Sequence, residues 1–76
     1  MRYRVSISRK AGLADPEGST TAAALRDLGF TEVSSVSFGR TLVLDVADDT
    51  AAERLSEMCT RLLANPVIED FSVEEL

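Results

Sequence analysis

Between residues 36 and 46 five large apolar side chains, Val36, Phe38, Leu42, Leu44 and Val46, all fall on even-numbered positions. Successive side chains of an extended chain point to opposite faces, so a single parity means a single buried face. A two-residue turn at Gly39-Arg40 pairs Phe38 with Thr41 and sends Leu42 and Leu44 to the face opposite Val36 and Phe38, which splits the apolar set. Two arrangements keep the set whole. One is a three-residue loop that pairs Phe38 with Leu42; the other is a single long strand from Glu32 to Ala47, bent at Gly39. The sequence leaves both open.

The same alternation marks the N-terminal segment. Tyr3, Val5 and Ile7 interleave with Arg2, Arg4, Ser6 and Ser8, which predicts a strand with one buried face from Arg2 to Ser8. After a loop from Arg9 to Leu13, Asp15-Pro16 reads as a helix N-cap followed by proline in the first turn, with a later start at Ser19 or Thr20 as the alternative. The helix carries Ala22, Leu25 and Leu28 toward a core. It stops at Gly29, with Phe30 folding back on the last turn.

Thr50-Ala51-Ala52-Glu53 has the spacing of a capping box and predicts the start of a second helix at Thr50, helped by Asp48 and Asp49 near the positive end of the helix dipole. Ala51, Leu55, Met58, Cys59 and Leu62 form its apolar stripe, and Glu57 and Arg61 are spaced to pair on the other side. Leu62 and Leu63 close the apolar face. Asn65 in the left-handed conformation and Pro66 then end the helix. A last strand follows from Val67 to about Glu74, with Val67, Phe71 and Val73 inward. The order β-α-β(β)-α-β predicts an α+β two-layer sandwich in which one antiparallel sheet is covered on one face by two helices. Arg2, Arg4, Asp70 and Glu74 point to the uncovered face, where cross-strand pairs form if the first and last strands are neighbours.

A chain of 76 residues is read as a single domain, residues 1–76, with a thin core, and self-association is the natural remedy. Its net charge of −5 opposes binding to phosphate backbones, and no nucleic-acid partner is expected. The chain has no histidine, so most general-base and catalytic-metal schemes lose their central group. One cysteine, Cys59, cannot form an internal disulfide and fits a reducing compartment. No apolar run approaches the ~20 residues of a membrane span. The alternating start MRYRVSISRK is unlike a signal peptide, so a cytoplasmic location without membrane contact is expected.

Candidate chemistry is sparse. Phe38, Tyr3 and Phe71 sit on inward faces rather than on a base-stacking surface, and Cys59 has no partner for a metal-carrier loop. Arg9 and Lys10 follow the first strand where an acylphosphatase-like enzyme binds its substrate, yet a glycine-rich cradle is missing, and a solvated basic loop explains them. Cys59 reads as a core residue rather than a nucleophile. Asp15, Glu17 and Asp27 show no acid-base spacing. Gly18 either sits in the first turn of a helix, exposing backbone to a close neighbour, or precedes a helix that starts at Ser19.

Asp15-Pro16-Glu17-Gly18, Phe38-Gly39-Arg40 and the run EMCTRLLANPVIEDF, taken together in this order and in so short a chain, resemble the PurS family, the small subunit of phosphoribosylformylglycinamidine synthase. The resemblance spans essentially the whole sequence. It implies a non-catalytic subunit of a purine-biosynthesis ligase, a homodimer or a dimer of dimers. Such a subunit docks on a large synthetase subunit, joins it to a glutaminase subunit and assists ammonia transfer between them. ATP and Mg²⁺ belong to the large subunit, and no catalytic, cofactor or metal residue is expected in this chain. A small-molecule-binding regulatory module of ferredoxin-like type is the alternative.

By match to the family motifs, the candidate partner contacts are Asp15, Pro16 and Gly18, then Gly39 and Arg40, then Asn65, Pro66, Glu69 and Asp70. Most have a structural explanation beside the functional one: Asp15 and Pro16 start a helix, Gly39 permits a bend, and Asn65 with Pro66 ends a helix. Nothing in the expected fold demands a cation at Arg40. Its positive charge alone carries over from the family, which often has lysine there.

Overall fold

The computed structural model describes all 76 residues. Strand β1 (Arg2–Arg9) lies at the centre of a three-stranded antiparallel sheet, between β2 (Gly39–Asp45) and β3 (Glu69–Glu75). Opposite Val5 stand Leu42 and Val73, and opposite Ile7 stand Arg40 and Phe71, which sets one parity of each strand on the inner face. On the outer face Arg4 bonds Glu74 across the strands at 2.7 Å, and Arg2 bonds Asp45 at 3.0 Å. The first and last strands are neighbours, the condition on which those cross-strand pairs depended, although Arg2 finds its partner on β2.

Helix α1 (Pro16–Asp27) starts as expected, with Pro16 in the first turn and the Asp15 carboxylate accepting the Gly18 N–H at 3.0 Å. Gly18 is therefore inside the first turn. At the other end the Phe30 N–H donates to Leu25 O and the Gly29 N–H to Arg26 O, both at 3.0 Å, a Schellman closure in which Gly29 takes φ +101°. Ala22 is buried and Leu25 half-buried, but Leu28 is 74% exposed, because no part of the sheet core lies beneath this end of the helix.

Helix α2 (Ala52–Met58) begins two residues later than the capping box predicts. Thr50 donates its N–H to Ala47 O in a turn that delays the helix, so the N-cap position falls on Ala51, which has no side-chain bond to offer and is exposed. Asp48 pairs with the Met1 ammonium at 2.7 Å instead of facing the helix. The helix then widens into a π turn, Cys59–Leu63, closed by Ala64 N–H to Cys59 O at 2.8 Å. A π turn holds more than 3.6 residues, so the stripe shifts after Cys59. Leu55 and Cys59 are buried as expected, but Leu62 turns outward, 84% exposed, while Leu63 and Ala64 turn in.

Asn65 does not adopt the left-handed conformation, since no residue other than glycine has positive φ. Its successor is proline, which drives the preceding residue toward extended backbone, and the helix already ends at Ala64 with φ −123° and ψ 155°. Residues 66–68 form a turn that delays β3 to Glu69 and leaves Val67 79% exposed rather than inward. Phe71 is half-buried, and Val73 faces inward by register but remains 36% exposed.

Neither the hairpin nor the single long strand from Glu32 to Ala47 forms in the middle segment, where only Gly39–Asp45 is a strand. β2 starts at Gly39, and residues 33–38 precede it without a strand partner; Ser34 to Ser37 neither donate nor accept a backbone hydrogen bond. Phe38 is 43% exposed, for the same lack of a covering layer. The core consists of Val5, Ile7, Cys59 and Ala64, with Leu42, Leu44, Leu63 and Phe71 packed around it, and α1 contributes none of these. A radius of gyration of 15.9 Å and extents of 50 × 25 × 14 Å follow. A compact domain of this length has a radius near ~11 Å.

Candidate functional site

At the end of β1 the chain brings three separated segments together. Asp15 bonds the N–H of Gly18 through one carboxylate oxygen and that of Phe38, at 2.8 Å, through the other. One side chain thus caps α1 and fixes the chain just before β2. Those two N–H bonds, the Phe38 one foremost, hold the Asp15 carboxyl below its ordinary pKa. Gly18 completes the junction, because a Cβ there would collide with the Val36 carbonyl oxygen. Gly39 is constrained in the same way: a Cβ would lie 2.5 Å from Ile7 O.

Arg40 forms the second junction. Its guanidinium donates to Glu69 Oε2 at 2.8 Å, to Glu69 Oε1 at 3.1 Å and to Leu63 O at 2.7 Å. Glu69 Oε1 also accepts the Asn65 N–H at 2.8 Å, and Asn65 Oδ1 accepts the Val67 N–H at 3.1 Å. The Asn65 bond and then Arg40 hold the Glu69 carboxyl below its ordinary pKa. The fold therefore does demand a cation at Arg40, contrary to the reading of the sequence. The reason is geometric: the π turn leaves Leu63 O without its helical partner, and a planar fork bonds that carbonyl and a carboxylate at once.

Asp15, Gly39, Arg40 and Glu69 line one recess together with Arg9, Glu17 and Phe38, and Pro16 flanks a neighbouring hollow beside Phe38. Asn65 and Pro66 form the turn held by Glu69. Asp70 stands apart from this group, on the outer sheet face, 3.9 Å from Lys10. The recess mixes two guanidinium groups with three carboxylates, most of them already engaged with backbone, which suits a polar contact surface. Arg9, Glu17 and Phe38 were not among the candidate contacts.

A second surface escaped sequence reasoning. Leu44, Met58, Leu62 and Leu63 form an open apolar groove beside α2, rimmed by Arg54, Glu57 and Arg61. The only signal was the unbroken apolar run Leu62-Leu63-Ala64, which a strict helical period cannot bury entirely. Cys59 lies fully buried beneath, and burial pushes its thiol pKa up, which removes it from nucleophilic chemistry.

Residues 2–75 match the PurS family, described as phosphoribosylformylglycinamidine (FGAM) synthase. The subunit PurS of this synthase from Archaeoglobus fulgidus is 44% identical over 72 residues, covering 91% of this chain and 90% of its own. The Bacillus subtilis PurS structure superposes with a TM-score of 0.84 at 38% identity, covering 97% of this chain and 98% of its own. A chain of the PurLQS structure from Thermotoga maritima superposes with a TM-score of 0.83 at 27% identity, covering 99% and 95%. With a family match over nearly its whole length and relatives this similar, the chain belongs to the PurS family of FGAM synthase.

Proposed function

We propose that this chain is a non-catalytic assembly subunit of FGAM synthase, acting as a cytoplasmic homodimer. It bridges a large synthetase subunit and a glutaminase subunit and assists the passage of ammonia between them. ATP and Mg²⁺ are bound by the large subunit, and neither nucleic acid nor membrane is a partner. The Thermotoga relative, which occurs in a PurLQS assembly, supports this reading by its match over nearly the full length of both chains.

One observation carries the assembly role: the backbone of Ser34 to Ser37 is free of hydrogen bonds while the adjoining β2 forms the edge of the sheet. A free backbone segment and a free strand edge are complementary, and a two-fold axis near Gly39 pairs each with its counterpart in a second copy as an antiparallel ladder. Dimerisation also supplies the covering layer that the elongated protomer lacks. Co-purification with the large subunit, followed by mass measurement of the native complex, tests the proposal. Two copies of the 8.2 kDa chain per unit, bound to both other subunits, are expected. A free monomer that binds neither subunit contradicts it.

A further inference from the structure

We infer that the free edge of β3 receives an extended, basic segment of the large synthetase subunit as a further strand of the sheet; the choice of partner rests on the assembly reading above. β3 is bonded to β1 alone, and its other side is the edge left over once β2 pairs with a second copy. Two bonds at its ends fix which backbone groups are open. The Lys10 N–H donates to Ile68 O and the Leu76 N–H to Arg2 O, both at 2.9 Å. Backbone groups of an antiparallel strand alternate in direction, so the even-numbered residues of β3 face β1 and the odd-numbered ones face away. The Glu69 N–H is taken up by Asn65 O at 2.7 Å, which leaves the N–H and C=O of Phe71, Val73 and Glu75 open.

Sheet edges are blunted by a bulge, a proline, a covering loop or charge. β3 keeps a constant register against β1 from Glu69 to Glu75 and contains neither proline nor glycine, so charge alone guards it. Glu69, Asp70, Glu74 and Glu75 make up four of its seven residues. A guard of one sign selects among partners. A second β3 laid antiparallel about Ser72 would set Asp70 opposite Glu74 and Glu69 opposite Glu75, each twice, and like charges directly opposite repel. A basic strand meets attraction at the same positions. Asp70 and Glu74 hold Lys10 and Arg4 at 3.9 and 2.7 Å yet keep their side chains 69% and 64% exposed, and Glu75 forms no ion pair in its own chain. On the inner face Phe71 is half-buried and Val73 is 36% exposed. The incoming strand therefore alternates, with basic residues opposite Asp70 and Glu74 and apolar residues opposite Phe71 and Val73.

Residue-resolved amide exchange of this chain, free and bound to the large synthetase subunit, tests the assignment. In the free protein the Phe71 and Val73 amides should exchange at least about tenfold faster than those of Ser72 and Glu74, and in the complex they should slow to match them. Phe71 and Val73 amides that stay fast in the complex overturn the inference and leave the assembly role intact. So does protection already present in the free protein, which assigns the edge to a second copy, and so does protection that appears only when the glutaminase subunit is added. A chain that binds neither subunit overturns the assembly reading as well. As an independent arm, Val73→Pro removes an N–H that faces away from β1 and keeps the ladder to β1. It should raise the dissociation constant for the large subunit at least about tenfold, whereas Val73→Thr, which retains the N–H, should stay within about twofold of the wild type. Glu75→Lys should weaken binding at low salt and lose its effect at high salt. Unchanged binding in either Val73→Pro or Glu75→Lys rejects the assignment.

Discussion

The Asp15 carboxylate accepts the backbone N–H of Phe38, 23 residues away, while it caps its own helix at Gly18. A carboxyl whose folded pKa is depressed stabilises the fold fully above its unfolded value, near ~3.9, and loses that contribution as pH falls through the lower folded value. Glu69 has the same sign, through the Asn65 N–H and Arg40. Thermal unfolding between pH 2 and 6 should therefore show the midpoint falling below about pH 4. Asp15→Asn should fall less steeply, having no charge to lose; parallel curves for the two proteins would show that the charge on Asp15 contributes nothing.

Gly18 reverses the usual helix rule. In an exposed first turn, alanine would gain up to about 1 kcal/mol over glycine, but here the added Cβ meets the Val36 carbonyl. Gly18→Ala should instead destabilise by roughly 1–3 kcal/mol, as overpacked sites do, and weaken dimerisation by displacing residues 34–37. Urea unfolding and native mass measure the two effects. A more stable, fully dimeric variant contradicts the contact.

At Arg40 the three hydrogen bonds depend on a planar fork that reaches a carbonyl and a carboxylate together. Arg40→Lys keeps the charge and loses that geometry, and Arg40→Ala loses both. Amide exchange at residues 64–69 should quicken in the order wild type, lysine, alanine, while the central strand β1 stays protected. Equal exchange in all three proteins would show that the junction does not hold the turn.

Cys59 gives a simple readout of the core. Its burial and raised pKa should make it react with a thiol reagent at least about tenfold more slowly in the native protein than in denaturant. Cys59→Ser, which buries a hydroxyl in place of a thiol, should cost about 1–3 kcal/mol. Rapid labelling of the folded protein would contradict the packing.

Parity made the sheet readable from sequence: Tyr3, Val5 and Ile7 and then Leu42 and Leu44 face inward, although neither a turn at Gly39-Arg40 nor a full strand from Glu32 to Ala47 forms. The Asp15 cap and the Gly29 stop were equally legible, because each depends on a residue's own backbone chemistry. Several errors involve competition between neighbours, while Leu28 and Phe38 are exposed for want of a covering layer. Thr50 was drawn into a turn, and Asn65 was held by the proline that follows it. Leu62 left the stripe because a π turn shifts the period, which no single residue type announces. Arg40 could not be assigned for the same reason, since its acceptor at Leu63 exists only once that turn is formed. The candidate contacts near Asp15, Gly39, Arg40 and Glu69 do converge, while Asp70 points to the other face.

The most direct test of the assembly role is reconstitution. Large synthetase and glutaminase subunits purified without their PurS partner are mixed with this chain, and glutamine-dependent formation of the amidine is followed as its concentration rises. Activity should appear and saturate at a fixed molar ratio, while the chain alone shows no turnover. Saturating chain that leaves the mixture inactive would contradict the assembly role outright.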